Sequence, residues 1–433
     1  QKSKADGDVL FMINYNKLSY QIKRKILTFS NRICKNLSKP SYKFITQMIY
    51  GILENQTILL SDISRALKEN ISLKKTIERL SNNLKTFNKH NVAIDNYISE
   101  IKPYIDDNTV FCVDGSEITK RNSKVLEAMG KVRDGSTGET NINGYNCFEI
   151  AALTNKYNMP VSVYSKIYSN AETDFVSENE EVLEGLNFIR KHFGSKGIRA
   201  LDRGFDDKKF YRYFINSGEP FVIRAKCNRN VIHNDKSINI LKLANKYHGR
   251  FSTIVRNKAG KAKKCKFSFI SIALPDIPDK PLTLVVIRGL GKVPMMLISS
   301  IKPDDKRLTL TIIQVYLKRW RIEEYFRFKK QQFDFENIRV RSLNSIRTMN
   351  LLLSLIVGFI AMLSEKRGEN ILNILIQKLS NRIYKIPDFD YYAVADGIYS
   401  ILKKTLTGIK SFMKPVLKTK APQQLFIAEA LEL

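Results

Sequence analysis

The sequence has few of the residues from which disulfide frameworks, zinc sites and membrane spans are built. Among 433 residues there are 5 cysteines, 4 histidines and 1 tryptophan. The cysteines lie far apart with no CxxC pair, which argues against a disulfide framework or a zinc ribbon and predicts reduced thiols. The histidines show no metal-ligand spacing. These residues are Cys34, Cys112, Cys147, Cys227, Cys265, His90, His192, His233 and His248.

Long apolar runs are also missing. The longest, residues 351–363, contains Ser354 and Gly358. A membrane span needs about 20 apolar residues, so this run predicts a core helix. The first residues, QKSKADGD, are followed only by VLFMI, so no signal peptide is expected and the protein is predicted to be cytoplasmic. Met12 is a candidate for the native initiator.

Acidic residues are scarce, with 42 Asp and Glu against 72 Lys and Arg, a formal charge of +30. Such a protein attracts polyanions, and nucleic acid is the expected partner, which would make it nucleoid-associated. A membrane surface is the rival partner, but no apolar run supports it.

The chain begins with a helical region, residues 1–105. Within it, residues 58–84 read as two helices meeting near Asn70, with Ser72 capping the second. Lys74, Lys75 and Arg79 project from this second helix as candidate DNA contacts. A helix-turn-helix and a plain helical hairpin with a solvated basic face explain the pattern equally well.

From Thr109 the pattern changes to strands and helices in the order βββαβαβ, which predicts an α/β mixed sheet. Asp114 ends the first apolar strand and Asp202 ends the fourth. Taken singly, each reads as a turn-forming aspartate. If the first and fourth strands are neighbours, however, both carboxylates emerge near the same edge of the sheet.

Residues 226–305 read as a β-rich insertion with short strands and turns. Six of the eleven residues 256–266 are basic, including Lys261, Lys263 and Lys264. We interpret these lysines as phosphate contacts, although such runs are also typical of flexible surface.

The segment YLKRWRIEEYFRFKK, residues 316–330, places four polar residues on one side of a single predicted helix. At about 100° per residue they fall within roughly 60° of arc. They are Tyr316, Arg319, Glu323 and Lys330. Glu324 points about 100° away from Glu323 and is excluded from the same site. A solvated face with ordinary salt bridges is the alternative. Trp320 could stack on a base, with packing against the sheet as its other role.

Three carboxylates, Asp114, Asp202 and Glu323, suit one or two Mg²⁺ ions, or Mn²⁺ in their place. Such a centre catalyses in-line phosphoryl transfer and needs no Ser, Cys or His nucleophile. Arg319 and Lys330 would then neutralise phosphates, and Tyr316 would hydrogen-bond a phosphate oxygen. Arg203, beside Asp202, is a further candidate for DNA contact.

The pieces VDGSE, LDRGFD and YLKRWRIEEYFRFKK resemble the DDE transposases of bacterial insertion sequences, in the branch with the Tyr-Arg-Glu-Lys signature. The resemblance implies a ribonuclease H-like core, formed by residues 106–225 and 306–342, interrupted by the insertion at 226–305. It also implies that residues 1–105 bind element ends, that the helical residues 343–433 take part in dimerisation, and that a homodimer pairs two ends of double-stranded DNA.

Relatives hold a flipped base on aromatic residues of the insertion, one of them a tryptophan. The insertion here has no tryptophan and offers Tyr247, Phe251, Phe267 and Phe269 instead. Two other functions remain: a DNA-binding regulator that no longer cuts, and a general metal-dependent nuclease. The presence of all three acids favours the transposase.

Overall fold

The computed structural model describes residues 14–135, 137–154, 159–256, 262–364, 371–380, 382 and 389–413. Its helices are α1 Tyr15–Ile33, α2 Lys39–Asn55, α3 Leu60–Leu67, α4 Leu73–Thr86, α5 His90–Ile101, α6 Glu178–Phe193, α7 Lys208–Ser217, α8 Ile240–Asn245, α9 Lys306–Lys318, α10 Arg321–Gln332, α11 Leu343–Ser364, α12 Ile371–Lys378, α13 Tyr391–Lys403 and α14 Lys410–Met413. Its strands are β1 Val110–Thr119, β2 Gly130–Val132, β3 Ile142–Leu153, β4 Pro160–Tyr168, β5 Ile198–Leu201, β6 Phe221–Arg224, β7 Asn230–His233, β8 Lys236–Asn239, β9 Phe251–Arg256, β10 Ala262–Leu274, β11 Ile277–Arg288 and β12 Met295–Ser299.

One mixed sheet forms the centre of the molecule. Its order is β2-β3-β1-β5-β6-β12-β11-β10-β7-β8, with β4 beside β3 and β9 beside β10. β1 is antiparallel to β3 and parallel to β5, which is parallel to β6. With α6 and α7 as the crossovers, the order β4-β3-β1-β5-β6 is that of a ribonuclease H-like core. The predicted fold class and the adjacency of the two aspartate strands are confirmed, whereas the short β2 was not foreseen.

Alternation along β1 separates the two faces of this sheet. Phe111 packs against Phe193 of α6, with ring centroids 5.6 Å apart. Cys112 belongs to a second cluster, which contains Ile312 and Tyr316 of α9. Because successive strand residues point to opposite faces, Asp114 lies on the same side as Cys112, toward α9.

The β-rich insertion continues the core sheet. β12 pairs with β6 through Leu297↔Arg224, Ile298↔Ile223 and Ser299↔Val222, and β11 and β10 follow outward. Residues 262–266 begin β10, which pairs with β9 as a hairpin. The basic stretch therefore lies on an extension of the same sheet that carries the aspartates.

Helices from both ends of the chain pack together. α11 contacts β4, α2 and α4, while α13 contacts α1 and α2. α11 is long and apolar enough to cross a membrane, but 89% of its most apolar window is buried inside the protein. The predicted core helix is confirmed. Ser72 caps α4 as predicted, its hydroxyl accepting from Lys75 N at 3.4 Å. All five cysteines are free thiols, also as predicted.

Candidate active site

Asp114 and Asp202 lie beside each other where two parallel strands stop pairing. The parallel register runs from Val110↔Ile198 to Val113↔Leu201. The next residue on each strand is the aspartate. The expectation that β1 ends at Asp114 was wrong, because its antiparallel pairing with β3 continues to Thr119↔Gly144. Only the parallel pairing of β1 with β5 ends before Asp114. The two carboxylates lie at the sheet edge where this pairing ends.

Arg319 connects the first aspartate to the glutamate. Its Nη1 lies 2.5 Å from Asp114 Oδ2, and its Nη2 lies 3.2 Å from Glu323 Oε1. Arg319 is 3% exposed, whereas the Glu323 side chain is 52% exposed. The guanidinium is thus held between two carboxylates, one inside the site and one at its solvent side. A direct contact between Arg319 and phosphate stays a prediction.

The four-residue signature does not lie on one continuous helix. α9 ends at Lys318 and α10 begins at Arg321, with Arg319 and Trp320 between them. Both linking residues keep right-handed helical backbone angles. Tyr316 contacts Asp202, and Arg319 contacts Asp114 and Glu323, so all three signature residues lie at the edge that carries the aspartates. The single-helix interpretation was wrong, but the convergence that it predicted for these three residues is present.

Tyr316 holds the second aspartate. Its hydroxyl donates to Asp202 Oδ1 at 3.3 Å, and the same oxygen accepts from Arg203 N at 2.5 Å. Arg224 also interacts with Tyr316. Arg224 follows Ile223, the register partner of Leu201, so it stands beside Asp202 on the neighbouring strand. Sequence reasoning missed it, although it ends its strand just as Asp202 does.

Burial is the main electrostatic influence on Asp114. It raises the pKa of this carboxyl from 3.8 to about 6, against the opposing effects of Arg319 and the Gly115 N–H, while Asp202 and Glu323 raise it further. Burial lowers the pKa of Arg319, but Asp114, Asp202 and nearby groups outweigh it and the net change is upward. Burial, followed by the Asp202 charge, raises the pKa of the Tyr316 hydroxyl.

The donor atoms around Arg319 are carboxylate oxygens, which are the ligands that Mg²⁺ and Mn²⁺ prefer. The carboxylate oxygens of Asp114, Asp202 and Glu323 fit such an ion in their chemistry. Among the residues that the structure describes, no three His, Cys, Asp or Glu side chains lie close enough together to hold one ion. Arg319 contacts Asp114 and Glu323 together and so provides the positive charge between them.

The other residues of the signature segment are placed differently from expectation. Lys330 pairs with Glu117 at 3.6 Å and with Glu336 at 3.1 Å, and makes no contact with the three candidate acids. Lys330 still shares a face of α10 with Glu323, two turns along the helix, and its contact with phosphate stays a prediction. Trp320 is 40% exposed, so part of its indole faces solvent, and both packing against the sheet and base stacking stay predictions. Arg203 is exposed in the turn after Asp202.

The peripheral cations differ in how freely they project. Lys263 and Lys264 are exposed near the start of β10, and Lys74 and Lys75 are exposed in the first turn of α4. Arg79 instead turns back to Glu69 at 2.5 Å, so its expected projection was wrong. Lys261 lies outside the described residues. DNA contact by the exposed lysines stays a prediction.

A buried ion pair anchors α10 beneath the site. Lys329 Nζ lies 3.0 Å from Glu149 Oε1, and neither side chain is more than 2% exposed. Tyr325 donates to the same oxygen at 2.6 Å. Glu149 is the register partner of Asp114 on β3. The sequence signal, a glutamate inside the apolar run FEIAAL, was present but was not used.

The site thus consists of two aspartates on adjacent parallel strands and a glutamate on a later helix. This arrangement is typical of nucleic-acid-processing enzymes that have a ribonuclease H-like core. The family described as "Transposase DDE domain" matches residues 106–358, and the chain belongs to it. A solved structure described as a cryo-EM structure of a piggyBac transposase synaptic complex with hairpin DNA is similar over 93% of this chain and 82% of that chain, with 12% sequence identity and a TM-score of 0.45. No curated protein matches the sequence.

Proposed function

We propose that this protein is a DNA transposase of the insertion-sequence branch with the Tyr-Arg-Glu-Lys signature, which cuts element ends and joins them to target DNA. The observation that carries the proposal is that Arg319 contacts both Asp114 and Glu323, while Asp202 follows the strand that pairs beside Asp114. Membership of the transposase family supports it. The net charge of +30 supports double-stranded DNA as the partner.

The three acids would hold divalent metal, Mg²⁺ or Mn²⁺, with two ions as the expected number. When bound between carboxylates and phosphate, such ions activate the attacking oxygen and stabilise the leaving oxygen of an in-line displacement. Water as the attacking group gives strand cleavage, and a 3′-hydroxyl gives strand transfer. Family members generally use divalent metals, which agrees with this donor set.

The protein side chains have distinct tasks in this scheme. Arg319 orients Asp114 and Glu323 and limits their mutual repulsion, while Tyr316 fixes Asp202 through its hydroxyl. Trp320, exposed beside the site, is available to stack on a base. Arg203, Lys263, Lys264, Lys74 and Lys75 are exposed cations that would contact phosphates and set the position of the duplex.

Assembly and location follow from the same activity. Two ends must be brought together, so we expect a homodimer in the synaptic complex, in the cytoplasm and on the nucleoid. The N-terminal helices are the expected element-end binding region, and the C-terminal helices are the expected dimer contact.

The test uses purified full-length protein, Mg²⁺ and DNA fragments that carry the flanks of the native element. Cleavage confined to the element ends supports the proposal. Specific binding without cleavage would instead indicate a regulator, and nicking without sequence preference would indicate a general nuclease. Asp114→Ala, Asp202→Ala and Glu323→Ala should each bind the fragments normally and fail to cut. Cutting at the wild-type rate by any of the three would reject the site assignment.

A further inference from the structure

A cleft of about 930 Å³ opens between the N-terminal helices and the catalytic core, away from the three acids. One wall is formed by residues 58–61, at the start of α3, and by α4. The opposite wall is formed by residues 124–127, which follow β1, and by residues 338–342, which follow α10. The two walls come from regions expected to act separately, and together they enclose one surface.

The charges in this cleft are nearly all positive. Lys85, Lys124, Arg339 and Arg341 line it, and all four are exposed. No carboxylate among the residues that the structure describes forms an ion pair with any of them. The single acid of the lining is Glu127, whose carboxylate accepts a hydrogen bond from Leu343 N at 2.9 Å, where it caps α11. The surface is therefore prepared for an anion.

Aliphatic side chains occupy the space between these cations. Ile58, Leu59, Ile77 and Val340 belong to the lining, and Val125 is 65% exposed there. On α4, Ile77, Ser81 and Lys85 recur every fourth residue and so share one face. This face looks across the cleft at the core. A ligand that fits must combine negative charge with flat or apolar surface.

The size of the cleft distinguishes between forms of nucleic acid. Its volume lies in the range of about 300–1,000 Å³ typical of small-molecule pockets. A B-form duplex, whose major groove alone is about 12 Å wide, does not enter such a space. An unpaired strand does, and it exposes base faces to aliphatic walls while its phosphates face the cations.

The position of the cleft relates it to the candidate active site. β1 carries Asp114 and continues to Thr119 before the chain reaches Lys124. At about 3.3 Å per residue, the end of β1 lies roughly 17 Å from Asp114. With about 3.4 Å per nucleotide, a strand running alongside β1 from the cleavage point passes the end of β1 after about five nucleotides, and the cleft wall begins five residues later in the chain, at Lys124.

We propose that this cleft binds an unpaired DNA strand that extends from the cleavage point, with Arg339, Arg341, Lys85 and Lys124 on its phosphates and the aliphatic residues on its bases. The identity of the ligand as DNA rests on the proposed function. The site itself is separate from the three acids, and α4 contributes to it as a wall and not as a projecting recognition helix.

The test measures binding of a short duplex with an unpaired tail of about six nucleotides, 3′ or 5′, against the same duplex with blunt ends. Arg339→Ala/Arg341→Ala should reduce the salt slope of tailed-DNA binding by about 1.4, at about 0.7 per lost single-strand contact. Val125→Asp should weaken tailed-DNA binding through repulsion at an exposed position that folding does not require. Neither variant should change blunt-duplex binding.

Lys191→Ala/Lys208→Ala is the matched control, because it removes two exposed lysines, one from α6 and one from α7, that do not line the cleft. An unchanged slope in the arginine variant would overturn the proposal, and equal losses for tailed and blunt DNA would assign the cleft to duplex. Cleavage of element ends by the wild-type protein is recorded in parallel. If the ends are cut while tailed-DNA binding is unaffected by the variants, the cleft assignment fails and the proposed function stands.

Discussion

The guanidinium of Arg319 lies 2.5 Å from the carboxylate of Asp114, and 3% of the arginine is exposed. This burial favours a role in positioning the acids, in place of the phosphate contact that the sequence alone predicts for Arg319.

Arg319→Ala should therefore abolish most cleavage while leaving the salt dependence of DNA binding unchanged, because no phosphate contact is lost. Removing the guanidinium also removes an influence that lowers the pKa of Asp114. The residual activity of the variant should therefore be lost at a higher pH on the acid side of its pH profile than the wild-type activity is. Arg319→Lys serves as the comparison, since a single ammonium cannot bridge two carboxylates in the same way. A flatter salt slope in the alanine variant would show that Arg319 contacts phosphate after all.

Asp114→Asn should change how stability depends on pH. Burial first of all raises the pKa of Asp114 from 3.8 to about 6, so the folded protein binds more protons than the unfolded chain between these values. Wild-type stability then contains a part that falls as the pH rises from about 4 to 6, by about 3 kcal/mol in total. The asparagine variant lacks this part. Urea unfolding with a chelator present should show that the free energy of unfolding of the variant rises relative to that of the wild type from pH 4 to 7. Parallel pH dependences of the two proteins would contradict the raised pKa of Asp114.

Lys329→Ala should destabilise the protein by about 3–5 kcal/mol, because it leaves Glu149 buried without its cation. The adjacent Lys330→Ala provides a control of equal chemistry. Lys330 pairs with Glu117 and Glu336 in a more exposed setting, and such pairs contribute about 1 kcal/mol or less. Chemical denaturation measures both. Similar losses for the two neighbours would mean that the buried network does not anchor α10.

Trp320→Ala should weaken the complex with DNA by about 1–3 kcal/mol if the indole stacks on a base. The side chain is 40% exposed, so the melting temperature should hardly move. Trp320→Phe keeps an aromatic face and should retain part of the affinity. An alanine variant that binds DNA normally but unfolds at a lower temperature would indicate that Trp320 packs against the sheet and does not stack on a base.

Lys263→Ala/Lys264→Ala should lower the salt slope for duplex binding by about 2, at about 0.9 per phosphate contact. Both residues are exposed near the start of β10. Lys236→Ala, on the exposed β8 of the same insertion, is the control and should leave the slope as it is. An identical slope in the double variant and the wild type would make the basic stretch ordinary surface.

Local patterns predicted that the two aspartates lie on neighbouring strands, because strand adjacency follows from alternation and chain order. The same patterns missed the break between α9 and α10 at Arg319. Neither proline nor glycine marks this break, and both linking residues keep helical backbone angles. Arg224 and Glu149 gain their importance from strand pairing, which places Arg224 beside Asp202 and Glu149 beside Asp114. Arg79 was expected to project freely because its partner, Glu69, lies in the loop before α4 and not on the helix itself. Helical periodicity predicts which side of a helix a residue lies on, but it does not predict the residue with which it forms an ion pair.

The hydrogen-bonded continuity from β5 through β6, β12 and β11 to β10 has a mechanical consequence. Four strand-to-strand steps of about 4.8 Å place β10, the strand that carries Lys263 and Lys264, roughly 19 Å across the sheet from the strand that precedes Asp202. Every step of this path is a hydrogen-bonded ladder. Under the proposed function, a duplex held by these two lysines would therefore lie at a set spacing from the acids.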